Sequence, residues 1–135
     1  VASVARTLRL RALPGRFAIV RLPAGTPALG WAWEGEFVSV TRTDAETSVV
    51  CLEGSVPEGT VAQRGWRCLR VEGPLAFSEV GVLASLTAPL ATAGLSIFAI
   101  STYDTDYLLV QETDRPAALA ALRAAGHEAH GVADD

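Results

Sequence analysis

Apolar and polar side chains alternate along Thr7-Leu8-Arg9-Leu10-Arg11-Ala12-Leu13, the period-two pattern of a half-buried strand. Pro14-Gly15 then signals a turn, and residues 17–22 read as a second strand. Residues 23–35 are rich in Pro and Gly with Trp31 and Trp33 between them, which predicts a loop with at most one helical turn. Strands are expected over 36–41 and 47–53, and residues 55–65 carry Pro57, Gly59 and Gly65, too many breakers for more than a short helix. Residues 66–72 form the next predicted strand, closed by Gly73-Pro74, and this strand can both close the sheet before it and open the one after it.

Beyond it the pattern becomes helical. Ser78 reads as an N-cap with Glu79 in the first turn. Val80, Leu83, Ala84, Leu86, Leu90 and Ala91 supply an apolar stripe that Pro89 should kink and Gly94 should end. Strands are expected over 96–101 and 106–111. A final helix over 117–125 is predicted with Asp114 as its cap, Pro116 in its first turn and Gly126 as its stop, and 127–132 as a last edge strand. Between the paired strands lies Ser101-Thr102-Tyr103-Asp104-Thr105-Asp106, a polar kink in an apolar hairpin.

The kink has an earlier copy. Setting Thr43 against Thr102, 59 residues on, aligns the apolar–polar–apolar run from Val38 to Cys51 with that from Ile97 to Val110, and the same offset sets Pro57 against Pro116. The later half thus reads strand, helix, strand, strand, helix, strand, a ferredoxin-like order with helices on one face of an antiparallel sheet. The expected fold is α+β: two such βαββαβ units, the first degenerate, spanning 1–64 and 65–135.

Half of the 135 residues are hydrophobic, which suits a folded chain, and the net charge of −4 is mild. All 11 basic residues are Arg and scattered, with a local cluster at Arg6, Arg9 and Arg11, and the basic stripe of a nucleic-acid binder with aromatics between is missing. Cys51 and Cys68 sit in apolar runs and read as buried reduced thiols. No apolar stretch approaches a membrane span, and the expected location is the cytoplasm. No cofactor is implied, and His127 and His130 flanking Glu128 read as a solvent-facing terminal strand and not as metal ligands.

The order of elements, the segment Phe77-Ser78-Glu79-Val80-Gly81-Val82 and the kink resemble the tandem ACT-domain proteins, in particular the amino-acid-binding branch that includes the CASTOR arginine sensors and their small bacterial relatives. Glu46-Thr47-Ser48-Val49-Val50-Cys51 is similar to that branch's first-domain signature, with Thr47 where Leu or Ile is usual. The resemblance implies a non-catalytic protein that binds an amino acid at an ACT–ACT interface and regulates an unidentified downstream protein, as a homo-oligomer such as a dimer. It also implies ligand contacts from Glu79, Val80, Gly81 and Val82 in the helix-start segment and from Tyr103 and Asp106 in the kink.

The residues support the same chemistry on physical grounds. Free N–H groups at the start of the helix after Ser78 suit a carboxylate, and Gly81 leaves room for close approach. Glu79, Asp104 and Asp106 offer acceptors to an ammonium or guanidinium group. Glu46 and Ser48 belong to the earlier copy, as a second site or the fossil of one. The alternatives are structural: Ser78 and Glu79 as a simple cap, Thr102, Asp104 and Thr105 as a simple turn, and the whole chain as a dimerisation or docking module with a decayed site. An acid–base enzyme using Asp104 and Asp106 is the third reading, but no nucleophile elbow or phosphate loop accompanies them.

Overall fold

The computed structural model describes residues 7–27 and 29–131, so Arg6 of the basic cluster and Val132 of the last predicted strand lie outside the described residues. The chain forms two compact units, one of residues 15–66 and one joining residues 1–14 to 67–135. The expected division at 64/65 falls inside β5 (Ala62–Val71), a single ten-residue strand that runs from one unit into the other. Gly65, at φ 80°, sits where the pairing of β5 slips: Phe17 faces Trp66 but Ile19 faces Gln63. A glycine tolerates that left-handed bulge geometry without a Cβ penalty, and its N–H is held by Glu53 Oε1 at 2.8 Å.

In the unit of residues 15–66, β2 (Phe17–Pro23), β3 (Ser39–Arg42) and β4 (Glu46–Leu52) join the first half of β5 in the order β3-β4-β2-β5, with β2 antiparallel to β4 and β5 and β3 antiparallel to β4. Ala18, Val20, Val49 and Cys51 form one buried face, covered by Leu29 and Ala32. Among the described residues, the two places where a ferredoxin-like unit has helices hold only 3₁₀ turns, Gly30–Ala32 and Glu53–Ser55. Pro27 and the Pro57/Gly59 pair explain the loss, because each removes a helical N–H or adds backbone freedom.

The other unit is a complete copy with one addition. The second half of β5, α1 (Val82–Thr92), β6 (Ile97–Ser101), β7 (Asp106–Gln111), α2 (Arg115–Ala124) and β8 (Glu128–His130) follow the βαββαβ order. The addition is β1 (Arg9–Ala12), which lies between β5 and β8: Leu10 faces Val71 antiparallel on one side and Ala129 parallel on the other. Leu86 and Leu90 of α1 and Leu122 of α2 pack with Leu10, Leu108 and Val110 in one core, all fully buried. Fully burying a Leu side chain contributes about 1.5–3 kcal/mol, so this cluster dominates the stability of the unit.

The repeat carries into three dimensions. The hairpin β3–β4 and its 3₁₀ turn Glu53–Ser55 have their counterparts 59 residues later in β6–β7 and Glu112–Asp114. After that the copies part, since α2 follows Asp114 whereas an irregular segment follows Ser55.

Two expected caps differ. The first helix starts at Val82, not after Ser78, because Gly81 takes a left-handed φ of 80° that a helix cannot run through. Asp114 occupies the N-cap position of α2 without a side-chain cap, since its backbone (φ −91°, ψ −9°) is already helical and the preceding 3₁₀ turn sets its direction. The expected solvent-facing role of His127 is also corrected: the ring is buried. Leu8 N–H donates to Nδ1 at 3.1 Å, which leaves Nε2 to donate to the Ser85 carbonyl, also at 3.1 Å. That carbonyl is free because Pro89, four residues on, has no N–H to offer it.

Candidate functional site

The polar kink is built before any ligand is considered. Thr105 is buried, and its hydroxyl donates to the Val71 carbonyl at 2.7 Å, tying the kink to the end of β5. Thr102 N–H donates to the Thr105 carbonyl at 2.8 Å, and Leu75 N–H to the Asp104 carbonyl at 2.7 Å. A Cβ at Gly73 would meet that same Asp104 oxygen at 3.0 Å, so only glycine lets the two segments lie this close.

The held kink and the segment leading into α1 enclose a cleft of about 430 Å³. Its floor is the end of hairpin β6–β7, where Ser101 faces Asp106 and its hydroxyl donates to Asp106 Oδ1 at 2.6 Å. Opposite stand Glu79, Gly81 and the first turn of α1 at Val82, Leu83 and Ala84. The first N–H groups of a helix have no partner within it, and Ser85 N–H makes the first such bond of α1, to Gly81 at 2.9 Å. Phe77 and Tyr103, both largely exposed, touch edge to face with ring centroids 4.8 Å apart at the rim.

Six of the expected residues therefore line one cleft: Glu79, Gly81, Val82, Tyr103, Asp104 and Asp106. Ser78 and Val80 belong to the same segment but are exposed outside the lining, because the turn closed by Glu79 N–H on the Ala76 carbonyl points them away. Glu79 does not act as a helix first-turn anion; its carboxylate accepts the Ala76 N–H at 3.2 Å. Glu46 and Ser48 lie in the other unit, on β4, where Glu46 is 4.0 Å from Arg21 and Ser48 faces Arg21 and Thr41. Ser101, Thr102 and Phe77 were missed, although the register of the hairpin puts Ser101 beside Asp106 and the exposed aromatic pair marks the rim.

Cys51 and Cys68 are buried free thiols. Burial pushes the Cys68 thiol up to about 12 and raises that of Cys51 as well. Among the described residues no helix is long and apolar enough to cross a membrane.

This fold, with a polar hairpin end facing a helix start, is that of ACT regulatory units, and the comparisons with known proteins agree. Residues 61–124 match the sequence profile of the ACT domain, and residues 15–59 that of an N-terminal-domain family. A crystal structure of an Agobacterium tumefaciens protein is 41% identical, with 95% of this chain and 96% of that chain covered and a TM-score of 0.89. The chain belongs to the ACT-domain family. It is related to the human cytosolic arginine sensor for mTORC1 subunit 1, at 46% identity over 48 residues that make up 35% of this chain and 15% of the sensor's length. The ligand-free regulatory subunit of aspartate kinase from Thermus thermophilus shares the fold at 12% identity, with a TM-score of 0.60 over 92% of this chain and 99% of that subunit.

Proposed function

We propose that this chain is a non-enzymatic regulatory protein that binds an amino acid in the cleft between the kink and the start of α1. One observation carries the reading: a single cleft is lined both by the first turn of α1, whose N–H groups have no partner within the helix, and by Asp104, Asp106 and Glu79. A zwitterion needs both. Its carboxylate suits the start of α1 at Val82–Ala84, where the helix dipole adds to the N–H groups. Its ammonium or guanidinium group suits Asp106, which Ser101 orients from across the hairpin. Each charge-assisted hydrogen bond contributes about 1.5–3 kcal/mol, enough for two or three to support micromolar binding after the loss of ligand freedom. The site is completed at an interface between ACT units in a cytoplasmic homo-oligomer, and the sequence likeness to an arginine sensor supports an amino acid as the ligand.

Calorimetry and thermal-shift measurements against the twenty amino acids test it. At least one should stabilise the protein at millimolar concentration, and Asp106→Ala should weaken that ligand tenfold or more. No stabilisation by any of them would sink the proposal.

A second reading rests on the exposed side chains Phe77, Leu83 and Tyr103 around the rim. An apolar rim of this kind suits a docking surface. It predicts self-association that persists in Asp106→Ala and is lost in Phe77→Ser/Tyr103→Ser, read by sedimentation velocity.

A further inference from the structure

The unit of residues 15–66 has a cleft of its own, of about 280 Å³, at the matching end of hairpin β3–β4. We propose that it binds a small free carboxylic acid with a branched or aromatic body and no amino group. Arg42 and Thr47 face one another across the hairpin, and both line the cleft. Leu29, Trp33 and Val40 supply apolar walls. Thr47 alternates along β4 with Val49 and Cys51, so it shares their covered face and not that of Glu46 and Ser48.

Thr47 is the second observation. It is 2% exposed, yet its hydroxyl has no hydrogen-bond partner among the described residues. A buried unpartnered hydroxyl is costly, and a ligand oxygen that reaches it as the cleft fills relieves the cost. Among the described residues the only charged side chain lining the cleft is a guanidinium, with its fixed fork for a carboxylate. No Asp or Glu among the described residues lines it to receive an ammonium, so the bare acid is preferred over the corresponding amino acid. Trp33, 59% exposed, stands at the mouth, where a bound body would cover it.

The test uses isocaproate and hydrocinnamate, which are leucine and phenylalanine without the amino group, together with the two amino acids and the two neutral amides. Calorimetry and tryptophan fluorescence of the full chain should show saturable binding of at least one acid. The matching amide and amino acid should bind about tenfold or more weakly. Arg42→Gln, an exposed position on β3, should weaken the acid about tenfold. Thr47→Val keeps the shape and removes the bare hydroxyl, so it should weaken the acid without lowering the melting temperature. Asp106→Ala should leave acid binding unchanged, which separates this cleft from the first. Three results would each overturn the proposal: no saturable binding of either acid, equal binding of the amide, or loss of binding in Asp106→Ala with none in Arg42→Gln and Thr47→Val.

Discussion

Ser101 and Asp106 stand at the end of hairpin β6–β7, and Arg42 and Thr47 stand 59 residues earlier at the matching end of β3–β4. The backbone frame is the same and the chemistry is reversed. One cleft is walled by carboxylates and faces a helix start; the other is walled by a guanidinium and faces a loop with a single 3₁₀ turn. The difference shows what a duplicated hairpin holds constant. Strand register is fixed by alternation, so a position keeps its face while its residue is free to change charge. The covering element is less constrained, because any segment that buries Val49 and Cys51, or Leu108 and Val110, will serve.

The largest effects should come from breaking the cover. Leu86→Ala removes a fully buried side chain of α1 and should cost about 2–5 kcal/mol in urea unfolding. Leu29→Ala, in the loop that does the same work for the other unit, should fall at the low end, about 2 kcal/mol, since Leu29 is 8% exposed beside a cleft that water can enter. Equal costs would mean that the loop is as closely packed as the helix.

Next comes the Pro89–His127 device, which the unit of residues 15–66 lacks among its described residues. His127→Ala bares the buried Leu8 N–H and should cost about 1–3 kcal/mol. Pro89→Ala returns an N–H to the Ser85 carbonyl, so His127→Ala should cost less in that background; additivity in the double-mutant cycle would break the link. Smaller again, Thr105→Val should cost about 0.5–1.5 kcal/mol by freeing the Val71 carbonyl, and it should weaken any ligand of the first cleft by loosening the kink. A Thr105→Val variant with full ligand affinity would show that the kink is held without that bond.

The pH dependence is smaller still at neutral pH. The unfolded Cys68 thiol titrates near 9.0 and the folded one at about 12, so the folded state disfavours the thiolate. Its contribution is intact below about pH 9 and is lost as the pH rises from there toward 12; Cys68→Ala should flatten that alkaline decline. Asp106→Ala should change stability by less than about 0.5 kcal/mol, because Asp106 sits in an open cleft.

The strands were legible because their pattern is local: alternation in 7–13 and the short apolar runs in 47–53 and 106–111 mark them without tertiary information. The start of α1 was not, since Ser78 and Glu79 have the composition of a cap and only the left-handed φ of Gly81 delays the helix. The place of β1 was equally hidden. Alternation says that residues 7–13 form a strand, but pairing with β5 and β8 depends on partners 57 to 119 residues away. In the first cleft, carboxylates and glycine announced themselves by type. Thr47 did not, because its meaning lies in a hydroxyl left bare by its surroundings.

Residues 15–66 interrupt a unit whose severed ends meet, with Leu13 N–H donating to the Cys68 carbonyl at 2.8 Å. Cutting out the interruption and bridging that gap with a two-residue reverse turn would make β1 and β5 an ordinary hairpin. The later unit would then become a continuous miniature of about 80 residues, small enough that its core needs every buried leucine. On the ribosome the order is reversed: the interruption is finished first, and the N-terminal strand must wait for its partners to emerge.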